Sequence, residues 1–361
     1  MPTRTIIPFA QANLGDDPPP RWEVEERLKG FLNRIRAGKA GPEPDRSPKD
    51  RNSRDRTTTR DRHRIYRRAK RYLERRDAAT GLAHLQDDDR DRLAALRDGA
   101  WITRLGTEHE ADVIASALHE DMPWMGPATE RVWHAMRRAV RTGSPGLPLP
   151  PLLLLGPPGI GKSHWARRLG TLIEGPVTAI DATNEPASFV LVGAQRGWSN
   201  TQPGRVLQTI LRERCASPVV IVDEIEKAGV TTSTRGARFT LTDGILPLLE
   251  PATARDWNCP YFRVRFDMSW IAWVLTANSL NGLPEPLLSR CPPVPLGPVP
   301  RADLMRYARR DCENRGLPEP AIEAVMDCLA TAPPAAAGLS LRSVRRLIDR
   351  IETLATMPTL H

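Results

Sequence analysis

The sequence has little lysine, few cysteines and few aromatic residues, and it has no long apolar run. Only six of its 52 basic residues are lysines, so arginine carries almost all of the formal net charge of +9. The five cysteines form no C-x-x-C pair and show no metal-ligand spacing, so we expect reduced thiols. No apolar segment is long enough to cross a bilayer, and residues 1–20 contain no signal-peptide core. These absences predict a soluble, cytoplasmic protein.

A glycine-rich loop stands near the middle of the chain. It reads Gly156-Pro157-Pro158-Gly159-Ile160-Gly161-Lys162-Ser163, and it lies between the apolar run Leu152–Leu155 and a helical pattern. Strand, loop and helix are the context that a phosphate-binding loop of the G-x-x-x-x-G-K-[ST] type requires. In such a loop the backbone N–H groups face the phosphates, Lys162 reaches the β- and γ-phosphates, and Ser163 is a ligand for Mg²⁺. The loop therefore predicts a nucleoside triphosphate site.

A second signal is the apolar run 219–222 followed by Asp223 and Glu224. The run predicts a buried strand, and the two acids then lie at its C-terminal end, where ligands bind in open α/β sheets. Asp223 would hold Mg²⁺ through its water shell, and Glu224 would polarise the attacking water. The motif is only moderately specific alone, but it supports the phosphate loop strongly.

Two further residues follow later in the chain. Asn278 comes after the apolar run 271–275, where its amide can contact both the γ-phosphate and the lytic water; the alternative is an Asn that caps a turn. Arg290 follows a short helix and has no acid close to it in sequence. It is either a surface arginine or an arginine finger that stabilises charge on the γ-phosphate bound to a neighbouring subunit.

The order of strand and helix patterns predicts the fold class. Alternating patterns from residue 152 to about 296 indicate a three-layer α/β domain with a mostly parallel sheet, and the pattern is helical after Pro298. Two helices are expected between residues 111 and 141. We therefore predict a partly disordered, helix-containing arm at 1–110, a large α/β domain at 111–298 and a small all-helical domain at 299–361.

The arm is strongly basic. Residues 46–76 carry twelve arginines and two lysines against four acids, a net charge of about +10. One interpretation is a solvated helical arm that packs against a neighbouring subunit. Another is a phosphate-binding surface for nucleic acid. Because Tyr66 and Tyr72 are the only aromatic residues among these arginines, a base-stacking platform is weakly supported.

The ordered motifs resemble those of AAA+ ATPases, and in finer detail the ATPase module of Lon-type proteases. The resemblance covers about residues 123–348. The segments that carry it, besides the phosphate loop, are 192–198, 203–205, 222–227, 246–251, 261–267, 276–279 and 284–290.

This resemblance implies an ATP- and Mg²⁺-dependent hydrolase that works as an oligomeric ring, a hexamer. It implies that Asn278 is the sensor 1 residue, Arg290 the finger and Arg342 the sensor 2 residue of a helical lid. It also implies that Trp198 projects into a central pore and grips an extended polypeptide. From the residues alone, Trp198 is as well explained as a partly buried anchor of its loop.

The sequence also departs from that family. A Lon-type protease needs a Ser–Lys dyad, and no lysine follows Lys227 in this sequence. We therefore expect no peptidase activity, and Ser289 stands where an acid commonly precedes the finger. The leading hypothesis is a ring ATPase that remodels or threads a protein substrate or partner. The alternatives are an ATPase recruited to nucleic acid by the basic arm, and a ring that regulates a separate effector.

Overall fold

The computed structural model describes residues 2–14, 19–39, 57–184, 188–194, 201–232, 238–332 and 339–356. The chain forms two compact units. One contains residues Met1–Ala10 and Asp98–His361, and the other contains Gln11–Arg97.

The strands are β1 (Thr3–Ile7), β2 (Ala100–Arg104), β3 (Leu152–Leu155), β4 (Val177–Asp181), β5 (Val219–Asp223), β6 (Val230–Thr232), β7 (Arg238–Thr240), β8 (Trp257–Asn258), β9 (Arg265–Phe266), β10 (Ala272–Ala277) and β11 (Pro293–Pro295). The α-helices are α1 (Arg21–Lys39), α2 (Thr59–Thr80), α3 (Asp87–Ala94), α4 (Glu108–Asp121), α5 (Gly126–Arg141), α6 (Lys162–Leu172), α7 (Ser188–Val192), α8 (Arg205–Glu213), α9 (Leu241–Leu249), α10 (Pro251–Ala254), α11 (Glu285–Arg290), α12 (Arg301–Asn314), α13 (Glu319–Thr331) and α14 (Leu341–Thr356).

A parallel sheet forms the centre of the larger unit. Its described strands lie in the order β11-β3-β10-β5-β4, and every neighbouring pair is parallel. Strand β10 is buried along its whole length, as a sheet covered by helices on both faces requires. Register pairs Ala277 with Leu155 and Asp181 with Asp223, so the C-terminal ends of four strands meet at one edge. The predicted α/β fold with a parallel sheet is confirmed.

Helices α4, α5 and α6 cover one face of this sheet through a shared apolar core. Trp165 of α6 is fully buried, and its indole N–H donates to the Thr129 hydroxyl at 3.0 Å. A large aromatic side chain is therefore buried without leaving its one donor unpaired. The two helices expected between residues 111 and 141 are present as α4 and α5.

Helices α12, α13 and α14 follow the sheet, as predicted for an all-helical segment. Leu304, Val325 and Ile348, one from each helix, are buried in their shared core. The backbone N–H of Leu341 at the start of α14 donates to the carbonyl of Gly159 at 3.0 Å. This bond fixes the beginning of α14 against the phosphate loop, and we call α12–α14 the lid.

Strand β1 lies within residues 1–110, where we expected a partly disordered, helix-containing arm and no strand. It pairs with β2 in antiparallel fashion, from Thr3 opposite Arg104 to Ile7 opposite Ala100. Phe9 then packs against Phe266, with ring centroids 5.3 Å apart. The partner strand lies almost a hundred residues away, so no local sequence pattern reports this pairing.

The smaller unit contains α1, α2 and α3. Thr58 caps α2 in a capping box with Asp61, and Arg36 of α1 donates to the Asp61 carboxylate at 2.8 Å. Arg90 of α3 pairs with Asp77 of α2 at 2.9 Å. Charged contacts therefore join both neighbouring helices to α2.

Within the described ranges, no helix is both long enough and apolar enough to span a bilayer.

Candidate functional site

A cavity of about 800 Å³ opens at the C-terminal edge of the parallel sheet. The phosphate loop and the start of α6 form its floor. The ends of β4, β5 and β10 form one wall, and residues of α12 and α14 in the lid form the other. The cavity thus lies at the strand ends, where open α/β sheets bind their ligands.

The phosphate loop takes a conformation that depends on glycine. Gly159 and Gly161 have φ angles of +77° and +94°, which residues with a side chain rarely adopt. Gly161 is the N-cap of α6, so the unpaired N–H groups of the first helical turn face the cavity. The N–H of Gly156 donates to the carbonyl of Ala277 at 3.1 Å and ties the loop to β10.

Lys162 is held inside this loop. Its ammonium group donates to the carbonyl oxygens of Gly156 at 2.6 Å and Pro157 at 3.0 Å, and to Asn278 Oδ1 at 2.9 Å. The residue is only 7% exposed, and this burial lowers the pKa of Lys162 although neighbouring carboxylates act in the opposite direction. A buried cation with reduced solvation interacts strongly with an anion that enters the cavity.

The side chains of Ser163 and Asp223 both line the cavity and are hydrogen-bonded to each other. The Ser163 hydroxyl donates to Asp223 Oδ1 at 2.5 Å, and the Thr276 hydroxyl donates to the same oxygen at 3.1 Å. The three residues come from the start of α6 and the ends of β5 and β10, so the parallel register of the sheet brings them together. Hydroxyl and carboxylate oxygens are the ligands that Mg²⁺ prefers.

Glu224 sits beside this pair in a left-handed conformation, with φ of +54°. Its backbone N–H donates to the Thr276 hydroxyl at 3.1 Å. Its carboxylate accepts bonds from Lys227 Nζ at 2.6 Å and from the Thr183 hydroxyl at 3.2 Å. The bond from Lys227 is the main cause that lowers the pKa of Glu224, so the side chain is ionised at neutral pH.

Glu226 orients Asn278. The backbone N–H and the side-chain Nδ2 of Asn278 both donate to Glu226 Oε1 at 3.0 Å. This leaves Asn278 Oδ1 to accept from Lys162. The second oxygen, Glu226 Oε2, is buried and has no hydrogen-bond partner among the residues that the structure describes. One carboxylate therefore fixes which end of the Asn278 amide faces the phosphate loop.

The lid contributes positive charge. Arg342 lines the cavity, as do Arg345 one turn further along α14 and Arg167 of α6. A carbon added at Gly159 would stand 2.9 Å from Ser340, which shows how closely the lid approaches the loop. Arg342 thus lies at the cavity, on the side that the lid forms.

Two predicted residues lie elsewhere. Arg290 does not line the cavity; its Nη1 donates to the carbonyl of Pro286 at 3.0 Å, and its Nε is 3.8 Å from Glu250 Oε2. Glu250 is 40 residues away in sequence, so sequence reasoning missed this acid. Trp198 lies outside the described residues.

Sequence reasoning also missed the contact roles of Thr183, Glu226, Lys227 and Arg345. Thr183 follows β4, whose end carries no acidic pair or glycine motif that would mark it. Glu226 and Lys227 come two and three residues after Glu224, and the left-handed turn at Glu224 that brings them over the site is visible only in the structure. Arg345 follows Arg342 at helical spacing, which is a usable signal.

The residues present fit ATP with Mg²⁺. The glycines of the loop leave room for backbone N–H groups to approach a phosphate chain, and Lys162 with the lid arginines supplies positive charge. Ser163 and Asp223 offer the hard oxygen ligands that Mg²⁺ requires, only 2.5 Å apart. The cavity is large enough for a nucleotide.

Comparison with known proteins agrees with this geometry. Residues 152–294 match the AAA family, the ATPase family associated with various cellular activities. Lon protease homolog 2, peroxisomal, of Arabidopsis thaliana is 27% identical over 218 residues, which are 60% of this chain and 24% of that protein. Lon protease of Magnetococcus marinus is 26% identical over 253 residues, 64% of this chain and 30% of that protein. Lon protease 2 of Sorangium cellulosum is 27% identical over 284 residues, 69% and 34% respectively.

Residues 152–294 therefore resemble the ATPase domain of the AAA family in sequence as well as in fold. The resemblance to the ATPase region of Lon proteases is confirmed, and the chain spans about a quarter to a third of the length of these relatives.

Proposed function

We propose that this protein is a Mg²⁺-dependent ATP hydrolase that works as a Lon-like ring and remodels or threads a protein substrate. One observation carries the proposal. Lys162, the Ser163–Asp223 pair, Glu224 and Asn278 converge at one end of the sheet, in a cavity that the lid borders. Each of these groups has a task in phosphoryl transfer.

The basic residues and the acidic residues of the site have different roles in the proposed hydrolysis. Lys162, the loop N–H groups and Arg342 bind and orient the phosphate chain, while Ser163 and Asp223 would hold Mg²⁺, which neutralises charge on the phosphates. Glu224 accepts the proton of the attacking water, and Asn278 orients that water and the γ-phosphate. Glu226 keeps the Asn278 amide in one orientation. Arg290, which faces away from this cavity, acts on the site of a neighbouring subunit.

The lid links chemistry to motion. Because Leu341 is bonded to Gly159 and Arg342 borders the cavity, a change in the phosphate chain alters contacts with α14 directly. Such lid movement is a known way to convert hydrolysis into displacement of neighbouring elements. We propose that Trp198 grips the polypeptide, and that the ring is a hexamer. We propose no peptidase role for these residues, since no lysine follows Lys227.

The test is the steady-state ATPase rate of the purified protein, with and without Mg²⁺ and with and without an unfolded polypeptide. We expect Mg²⁺-dependent turnover that the polypeptide stimulates. Glu224→Gln should keep ATP affinity and lose turnover by roughly 10²- to 10⁴-fold, the range for loss of a general base. Lys162→Ala should lose ATP binding.

Trp198→Ala tests the proposed threading of a polypeptide separately from ATP hydrolysis. It should keep basal turnover and lose both the stimulation and the remodelling of a tagged folded substrate. Full remodelling by Trp198→Ala would refute the threading role, and turnover by Lys162→Ala at the normal rate would refute the assigned ATP site.

A further inference from the structure

One face of α2 carries a straight row of arginines. Successive residues of an α-helix are turned by about 100°. At that spacing six arginines fall within an arc of about 100°, and they extend along the helix for about 22 Å. They are Arg60, Arg64, Arg67, Arg68, Arg71 and Arg75, and we call them the arginine row.

The other side of α2 is occupied by packing within its own unit. Ala69 is fully buried, and Asp61 is 6% exposed and bonded to Arg36 of α1 at 2.8 Å. At 100° per residue Ala69 lies opposite the row, whereas Asp61 lies just beyond one edge of it. A buried acid and a small residue thus hold α2 against α1; Arg64 and Arg68 border the groove between the two helices, and all six arginines of the row remain exposed.

The charges of the row are not neutralised within the described part of the chain. All six side chains are exposed, and no described carboxylate lies within ion-pair distance of any of them. Lys70 and Glu74 of the same helix pair with each other at 3.8 Å, so α2 does form ion pairs off the row. Arginines three and four positions apart repel one another, so the row opposes helix stability unless an anion meets it.

The residue types in and beside the arginine row indicate which kind of anionic partner fits it best. A protein partner normally requires apolar or aromatic anchors at the centre of its interface, and none stands among these arginines. Single-stranded nucleic acid requires aromatic side chains on which bases stack. Tyr66 and Tyr72 project from opposite flanks of the row, and Arg21 of α1 already lies over the Tyr66 ring at 4.9 Å. Neither ring belongs to a stacking platform beside the row.

Helix α2 with its arginine row is a rigid element with evenly spaced positive charges, and it complements a rigid polyanion such as double-stranded DNA. Double-stranded DNA carries about one negative charge per 1.7 Å of its axis, and arginine binds phosphate in a bidentate manner. An α-helix with its side chains is about as wide as the major groove, so a single helix can approach phosphates on both of its sides. We propose that the arginine row binds the phosphate backbone of double-stranded DNA without reading its sequence. This activity is separate from ATP hydrolysis.

The experiment measures binding of the full-length protein to fluorescein-labelled duplex DNA by anisotropy, over a series of salt concentrations and without nucleotide. The test variant replaces Arg64, Arg67 and Arg71 by Gln. A charge-matched control replaces three exposed arginines of the other unit, Arg138, Arg255 and Arg350, by Gln. A third variant places Lys at 64, 67 and 71, which keeps the charge.

The Gln variant should bind the duplex roughly ten- to a hundredfold more weakly, and its plot of log affinity against log salt should be less steep by about 3. The control should behave like wild type, and the Lys variant should keep most of the affinity and the slope. Basal ATPase activity and far-UV circular dichroism should be unchanged in all three, which separates lost binding from lost folding.

Three outcomes would overturn the proposal. The first is equal duplex binding by the Gln variant and its control. The second is tighter binding of a single strand of equal length than of the duplex. The third is competition by poly-glutamate as effective, per charge, as competition by unlabelled duplex, which would identify an acidic protein as the partner instead.

Discussion

The carboxylate of Glu224 is engaged by a neighbouring cation before it can act on water. Lys227 Nζ lies 2.6 Å from one carboxylate oxygen, and Thr183 donates to the same oxygen. An ammonium group at this distance stabilises the ionised form, which is why the pKa of Glu224 lies below its ordinary value. A carboxylate with a lowered pKa is a weaker proton acceptor, so Lys227 should weaken Glu224 in the role of general base that we propose for it.

Substitution of Lys227 by Met should shift the acid side of the pH–rate profile. Without the ammonium the pKa of Glu224 rises toward the ordinary carboxyl value, so protonation begins at a higher pH. The loss of turnover on acidification should therefore begin at a higher pH than in wild type, while the rate at neutral pH should be equal or greater. The measurement is kcat as a function of pH at saturating ATP.

Lys227→Arg is the matched control, because a guanidinium at this position keeps the positive charge beside Glu224. Its acid limb should stay where the wild-type limb lies. An unchanged limb in Lys227→Met would show that Lys227 does not govern the protonation of Glu224 during turnover.

At the level of secondary structure elements, Asp121 joins the ATPase core to the lid. It is the last residue of α4, and its carboxylate accepts from Arg168 of α6 at 2.7 Å and from Arg310 of α12 at 2.8 Å. Helix α6 begins at Lys162, and α12 packs against α14, which carries Arg342. One acid therefore spans the gap between the helix that follows the phosphate loop and the helices that border the other wall of the cavity.

Asp121→Asn should weaken ATP binding by about two- to fivefold, since partly exposed ion pairs contribute up to about 1 kcal/mol. The amide keeps the size of the side chain but loses the charge that attracts two arginines, so the lid is held less firmly over the nucleotide. Titration with a fluorescent ATP analogue measures the affinity. The effect should shrink at high salt, which screens the pair in the wild type as well.

Arg309→Gln is a suitable control for this prediction. Arg309 pairs with Glu319 at 3.4 Å, and both residues belong to the lid, so that pair does not connect the lid to the core. Its loss should leave ATP affinity unchanged. An equal loss of affinity in both variants would indicate general lid instability and would contradict the bridging role of Asp121.

The elements that sequence could predict are those with local signals. The run Leu152–Leu155 before a glycine loop, the run before Asp223 and the apolar spacing of α12–α14 each lie within one short window, and each is found in the structure. Strand β1 is different, because its partner β2 lies almost a hundred residues away.

In the candidate site, too, sequence predicted the residues that belong to a local motif and missed those that depend on contacts between distant segments. Lys162 and Ser163 predicted a nucleotide site, because the spacing of a phosphate loop is rarely found elsewhere, and Asp223 added support through its place after a buried strand. Thr183 and Glu226 carry no such signature. Their positions depend on the sheet register and on the left-handed turn at Glu224, which bring separate segments together only in the folded chain.

For the whole molecule, the proposed finger role of Arg290 bears on whether one chain is sufficient for ATP hydrolysis. Its guanidinium lies outside the cavity and within 3.8 Å of the Glu250 carboxylate. The side chain is therefore either a structural partner of Glu250 or a group that completes the site of a neighbour. The two roles differ in what can restore activity after Arg290 is removed.

Arg290→Ala should lower turnover by a factor on the order of 10³, as loss of an arginine finger does, with little change in ATP affinity.

Mixing two inactive variants distinguishes the two roles. A Lys162→Ala subunit cannot bind ATP, but its intact Arg290 can complete the site of an Arg290→Ala neighbour across a head-to-tail interface. Equal amounts of the two inactive variants should then regain about a quarter of the wild-type rate if subunits mix at random. Co-purification of differently tagged variants verifies the mixing. A purely structural arginine predicts no recovery, and it predicts that Glu250→Gln lowers the melting temperature as much as Arg290→Ala does.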